Sequence, residues 1–171
     1  MARVPFWSRY FVENLSYNGS TGNFFQVVAT LTPGQTLLRS IVSMDIGLSM
    51  TVAPDTDLGI VNPVGLHLDT SNVSPSISPY SNPSNLTPGW IWWQQLTFRF
   101  DYFSAGTPNI WSYRNDETCK IIDTRTQRQN TTAANQYLWF QFQASSYINW
   151  VTDGMQAFGS IATEFLILDA P

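Results

Sequence analysis

The sequence predicts an all-β protein: an antiparallel two-sheet sandwich, jelly-roll-like, with about 8–10 strands in a single domain over residues 1–171. Three observations lead there. Apolar and polar residues alternate with period 2 in short runs. Clusters of Gly, Pro and Asn punctuate those runs at short intervals, as in sandwiches and barrels. Helical periodicity is nearly absent, and no repeat of solenoid type is present.

Taken in order, a polar opening ends in turn material at Asn18-Gly19-Ser20-Thr21-Gly22-Asn23. Residues 24–31 then alternate, with Phe25, Val27, Ala29 and Leu31 expected inward. Thr32-Pro33-Gly34-Gln35 has Pro at i+1 and Gly at i+2, the type II turn arrangement. Residues 38–48 place Leu38, Val42, Met44, Ile46 and Leu48 on one face, against Arg39, Ser43 and Asp45. A further strand is expected over 50–53, and another over 58–68 with an interruption near Pro63.

Residues 69–89 change character, with four prolines and no regular period. A stretch this long is either a loose surface excursion or an extended arm laid on a neighbouring subunit, where proline would limit the entropy lost on docking. The densest aromatic run follows, from Gly89-Trp90-Ile91-Trp92-Trp93 to Tyr102-Phe103. Leu96, Phe98, Phe100 and Tyr102 share one face, and Trp92 falls in the same core-facing row. Shorter strands are expected over 110–114 and 119–123, and a bend or single helical turn over 124–135. Residues 137–144 form a clear strand with Leu138, Phe140, Phe142 and Ala144 inward and Gln141 and Gln143 outward. Residues 161–168 close the fold, as a strand expected in the middle of a sheet.

Composition narrows the function. Hydrophobic residues make up 43%, enough for a substantial core, whereas charged residues reach only 12% against a typical ~25%. A surface carried by Ser, Thr, Asn and Gln packs against neighbours at low desolvation cost, which suits a permanent part of an assembly. The net charge is −4, and the seven arginines are scattered singly. Phosphate neutralisation needs a basic patch, so direct nucleic-acid binding is disfavoured, and so is an anionic membrane surface. Residues 1–9 lack the apolar stretch of an export signal, and no apolar run approaches ~18 residues. One cysteine, Cys119, allows no intrachain disulfide and fits a reducing compartment. Five N-x-S/T sequons begin at Asn14, Asn18, Asn72, Asn85 and Asn130, and are expected from chance in a chain this rich in Asn, Ser and Thr.

The chemistry tests come out blank. His67 and Asp69 lie two apart on a strand and share a face, as a catalytic dyad requires. No serine carries a nucleophile motif, so an ordinary histidine on an edge strand is the expected reading. Cys119 follows Asp116-Glu117-Thr118, a setting that opposes thiolate formation, and reads as a small buried apolar residue. One histidine and one cysteine exclude a zinc site for practical purposes. Asp55-Thr56-Asp57 opens like a calcium loop, but Ile60 and Leu66 stand where the required Gly and Glu belong. The expectation is therefore no enzyme, no metal and no cofactor. Exposed tryptophans do stack on sugars, which keeps a carbohydrate- or receptor-binding module as the alternative function.

The order of features carries a resemblance. Thr36-Leu37-Leu38-Arg39-Ser40-Ile41-Val42 is followed by Leu58-Gly59-Ile60-Val61 and by the Pro/Ser-rich excursion ending in Gly89-Trp90-Ile91-Trp92-Trp93. Ile121-Ile122-Asp123-Thr124-Arg125-Thr126-Gln127-Arg128 and Tyr137-Leu138-Trp139-Phe140 complete it. In this order, over residues 32–144, the chain resembles small β-sandwich structural proteins of tailed bacteriophages, of the capsid decoration or cement type. The resemblance implies no activity and no cofactor. It implies a place on the outer capsid surface of a virion, synthesis in the host cytoplasm, the major capsid protein as partner, and self-association, as a homotrimer or another symmetric oligomer. Candidate subunit-interface residues are Tyr80, Trp90, Trp93 and Trp111, with Arg125 and Arg128 as guanidinium donors to carboxylates across a boundary.

Overall fold

The computed structural model describes residues 3–17, 23–50, 60–76, 89–98, 111–113, 120–125, 127–143 and 156–171, and no helix occurs among them. The strands are β1 (Pro5–Tyr17), β2 (Asn23–Leu31), β3 (Thr36–Met50), β4 (Ile60–Asp69), β5 (Trp90–Phe98), β6 (Trp111–Tyr113), β7 (Lys120–Thr124), β8 (Arg128–Gln129), β9 (Gln136–Gln143) and β10 (Gln156–Leu168).

Their pairing is that of one long hairpin rolled up. β1 pairs antiparallel with β10, β2 with β9, β3 with β6, β7 and β8, and β4 with β5. Rolling adds the β10·β3 and β9·β4 pairs that close each sheet. Along β3, Met50 meets Trp111, Met44 meets Lys120 and Leu37 meets Arg128, so β6, β7 and β8 act as one interrupted strand. One sheet therefore runs β1-β10-β3 and then this interrupted strand; the other runs β2-β9-β4-β5. This is the two-sheet jelly roll.

The core lies between the sheets. β9 contributes Leu138, Phe140 and Phe142, β3 contributes Leu37, Val42, Met44 and Ile46, and β10 contributes Ile161, Phe165 and Ile167. Trp92 packs edge-on against Phe140 with ring centroids 6.4 Å apart, as its place in the inward row predicts. The turn at 32–35 also forms as expected. Gln35 N donates to Thr32 O at 3.1 Å, and Gly34 adopts φ 84°, which a type II turn requires at i+2. β10 lies between β1 and β3, the central position expected of it.

Four expectations change. The polar opening is instead β1, with Trp7, Arg9 and Phe11 on its outward side. Because aromatic residues occupy both faces, the alternation that identifies a half-buried strand is erased. In β2 the register shifts between Val27 and Ala29; Ala29 and Leu31 lie in the core as expected, but before the bulge the inward side is reversed. Phe25 is exposed, while Phe24 packs against the core beside Phe140. In β3 Leu37, not Leu38, is the buried residue, beside a register shift between Leu166 and Ile167 of β10. Finally, β4 runs through Pro63 without interruption. At Pro63 only β5 is paired, through Gln95, and pairing with β9 begins at Val64, so the missing N–H costs no ladder bond on that side. The strand expected over 50–53 and the aromatic run beyond Phe98 lie mostly outside the described residues.

Candidate functional site

The fixed charges are divided unequally between the sheets. β2, β4, β5 and β9 together contain one charged residue, Asp69. β1, β3, β7, β8 and β10 hold Arg9, Glu13, Arg39, Asp45, Lys120, Asp123, Arg128 and Glu164. Each sheet has an outer face that repays a closer look.

On the four-stranded sheet, β4 places His67 opposite Trp139 of β9 and Trp90 of β5. β4 is thus an interior strand, not the edge strand expected for this histidine. The imidazole is 0% exposed although it points away from the core. Its Nε2 lies 3.2 Å from Asp69 Oδ2, and Gln141 Nε2 lies 2.8 Å from its Nδ1. An ionised carboxylate accepts only, so Nε2 carries the proton and Nδ1 accepts from the Gln141 amide. The Trp90 ring lies 5.1 Å from the imidazole, over Gly65; a Cβ there would stand 2.4 Å from Trp90 Cζ3.

Asp69 also moors the segment that follows it. Its Oδ1 accepts from Ser71 N at 3.1 Å and its Oδ2 from Ser76 N at 2.5 Å. Ser71 Oγ accepts from the backbone N–H groups of Val73 and Ser74, and Trp139 Nε1 donates to Ser71 O at 2.8 Å. The start of the Pro/Ser-rich stretch is therefore tied down over 69–76. Burial pushes the imidazole below its ordinary 6.5, against the opposing pull of Asp69. Burial works to raise the Asp69 carboxyl, but hydrogen bonds from Ser76, Ser71 and His67 outweigh it and lower it to about 2. The predicted His67–Asp69 pair exists, yet an amide stands where a nucleophile would have to be, and the imidazole meets no solvent. The arrangement holds structure in place.

The outer face of the six-stranded sheet is different. Residues paired directly across strands share a face, which builds three rows. Trp7, Leu166 and Arg39 form the first; Arg9, Glu164, Ile41 and Asp123 the second; Phe11, Ala162, Ser43 and Ile121 the third. Trp7 is 44% exposed, Phe11 59% and Ile121 76%. The charges between them are matched: Arg9 Nε lies 2.8 Å from Glu164 Oε1. Arg39 donates through Nε and Nη2 to the two oxygens of Asp123 at 2.8 and 2.7 Å. Their mutual hydrogen bonds raise the Arg39 guanidinium and lower the Asp123 carboxyl relative to their ordinary values. Among the described strands β1 pairs only with β10, so no described strand covers its other edge.

The sequence-predicted interface residues fall in several places. Trp90 is buried within the layer over His67, and Trp93 is half-buried on the same strand. Trp111 lies in β6, opposite Met50. Arg125 and Arg128 are exposed, and Arg128 Nη1 reaches Gln127 O at 3.5 Å. Tyr80, Cys119, Asp55 and Asp57 lie outside the described residues. Trp7, Phe11 and Ile121 were not singled out from sequence. The signal available for the first two was Phe6, Ser8 and Tyr10 at period 2, interleaved with a second aromatic set. Among the described residues, no three His, Cys, Asp or Glu side chains cluster as metal ligands.

No protein-family model and no curated protein matches the chain. Among solved structures, it is similar to a chain of the acidic stable capsid of Helicobacter pylori bacteriophage KHP30, at 9% identity and TM-score 0.33, over 96% of this chain and 93% of that one. It is also similar to a chain of Mud crab tombus-like virus, at 12% identity and TM-score 0.30, over 100% and 83%. A third likeness is to the VP2 subviral particle of infectious bursal disease virus, at 9% identity and TM-score 0.27; it covers 97% of this chain but only 37% of that one. The strand order, rather than these distant likenesses, defines the fold.

Proposed function

We propose that this chain is a structural protein of a virus particle, a decoration or cement subunit that stabilises the shell by bridging major capsid subunits. It sits on the outer capsid surface and associates with copies of itself, and it catalyses no reaction. One observation carries the reading: Trp7, Phe11 and Ile121 stand exposed on a sheet face where Arg9 pairs with Glu164 and Arg39 with Asp123. Burying such a face costs less than burying lone charges, because Arg9–Glu164 and Arg39–Asp123 would leave water as pairs. The edge of β1 away from β10, which no described strand covers, offers main-chain hydrogen bonds to a partner strand. Jelly rolls serve as viral capsid and lectin domains, which fits this use and also the alternative, a carbohydrate- or receptor-binding module of a phage tail or baseplate.

The test is particle stability. Capsids assembled without the protein should disrupt at lower temperature or force, and adding it back should restore them. Add-back of a Trp7→Ser, Phe11→Ser variant should not. Unchanged capsid stability ends the cement reading, and a saturable tryptophan quench on glycan titration would favour the module.

A further inference from the structure

We propose that His67 is an acid-sensitive latch on the segment 70–76: when its imidazole takes a second proton, the segment comes away from Trp139. The geometry is a relay. Gln141 Nε2 donates to His67 Nδ1, His67 Nε2 to Asp69, and Asp69 holds the backbone N–H groups of Ser71 and Ser76. Ser71 O takes the indole N–H of Trp139. A protonation event at His67 is thus connected through Asp69 and Ser71 to Trp139.

A second proton sits on Nδ1 and meets the Gln141 amide 2.8 Å away, donor against donor. Asp69, the one charged side chain on this face among the described residues, balances the new charge through Nε2 but cannot accept the new N–H on the far side of the ring. β9 presents Gln141, Trp139 and, opposite Asp69, the hydroxyl of Tyr137. β5 presents Trp90 and Trp93, and residues 70–76 contain no charged side chain. A donor left facing a donor in an unexposed layer is satisfied chiefly by admitting water. β9 is held by an unbroken ladder with β4 over Val64–Asp69, and β5 by a ladder that shifts register once, between Leu66 and His67, whereas residues 70–76 are held by the few bonds just named. The weakly held element gives way first.

His67 is the chain's only histidine, so its imidazole proton resonances titrate without overlap in the full-length protein. NMR against pH would follow them together with the Trp139 indole N–H, assigned from its loss in Trp139→Phe, while far-UV circular dichroism monitors the fold. The latch predicts one midpoint, below 6.5, shared by the imidazole and the Trp139 N–H, with faster solvent exchange of that N–H and an unchanged circular dichroism spectrum. Gln141→Glu sets a carboxylate at Nδ1 and should raise that midpoint by about one pH unit. Three results overturn the proposal. The imidazole titrates while the Trp139 N–H stays put, meaning that Gln141 has merely turned its amide over. It titrates only as the whole fold is lost, meaning that His67 is a core group. Or Gln141→Glu folds and leaves the midpoint unmoved. The wild-type titration decides the matter by itself if Gln141→Glu does not fold.

Discussion

Arg39 grips both oxygens of Asp123 across the β3–β7 seam, at 2.8 and 2.7 Å, on the outer face of the six-stranded sheet. Planar two-point contact fixes the direction of the guanidinium and leaves the carboxylate little need of water. Yet the pair is solvent-accessible, and accessible ion pairs contribute little to the stability of an isolated fold.

Arg39→Ala should therefore leave the thermal midpoint of the free protein nearly unchanged, as read by circular dichroism. Its occupancy on particles should fall, because docking would now bury the unpaired Asp123. Arg39→Ala, Asp123→Ala should recover occupancy. Equal losses for the single and double variants would mean that this face stays in solvent.

Trp7→Ser and Phe11→Ser remove exposed aromatic area that the core does not use. Each should change unfolding free energy by no more than about 0.5 kcal/mol while weakening attachment to particles. Urea denaturation and co-sedimentation separate the two effects.

Asn130 ties a corner of the sandwich. Its Nδ2 donates to Leu31 O and Ala134 O at 2.9 and 2.8 Å, and its Oδ1 accepts from Thr132 N and Oγ1. Because the residue is fully buried, Asn130→Ala takes the side-chain donor from Leu31 O, while Ala134 O keeps Thr132 Oγ1 at 2.9 Å, and should cost about 1–3 kcal/mol. A lower urea midpoint at unchanged m-value is the expected reading.

Gly65→Ala puts a methyl where the Trp90 ring lies. Displacing that indole should uncover His67, cost about 1–3 kcal/mol, and shift tryptophan emission to the red. An unaltered spectrum would mean that the ring is held elsewhere.

Stability should fall on acidification in two stages. His67 and Asp69 both have folded-state values below their ordinary ones. At intermediate pH the unfolded chain then binds more protons, so stability is lost as pH falls. The His67 share is complete above 6.5 and lost below it. The Asp69 share is complete above 3.8 and fades towards about 2; it amounts to about 2 kcal/mol. Urea midpoints measured from pH 7 to pH 2 should trace both stages, and Asp69→Asn should shrink the lower one, leaving the part owed to Asp123.

Inward rows were legible where one face is apolar and the other polar, as in Leu138, Phe140 and Phe142 against Gln141. So was the Thr32–Gln35 turn, whose residue types fix their own backbone angles. β1 was not, because a strand carrying Trp7 and Phe11 outward and Phe6 and Tyr10 inward shows no contrast between faces. The shift at Val27/Ala29 was hidden for another reason: a bulge is set by the partner strand, here β9. The surroundings of His67 were hidden as well. That Asp69 lay on its side was clear from spacing; that Trp90, Trp139 and Gln141 surround it follows from strand order, which brings residues 74 positions apart within hydrogen-bonding distance.

The unequal division of charge between the sheets separates two solution variables. Ionic strength acts mainly on the face bearing Arg9–Glu164 and Arg39–Asp123, since screening reaches exposed pairs first. Proton activity below pH 6.5 acts on the opposite side, through one buried imidazole beside Trp90. Salt and acid can therefore be varied as independent dials, each addressing one side of the same small protein.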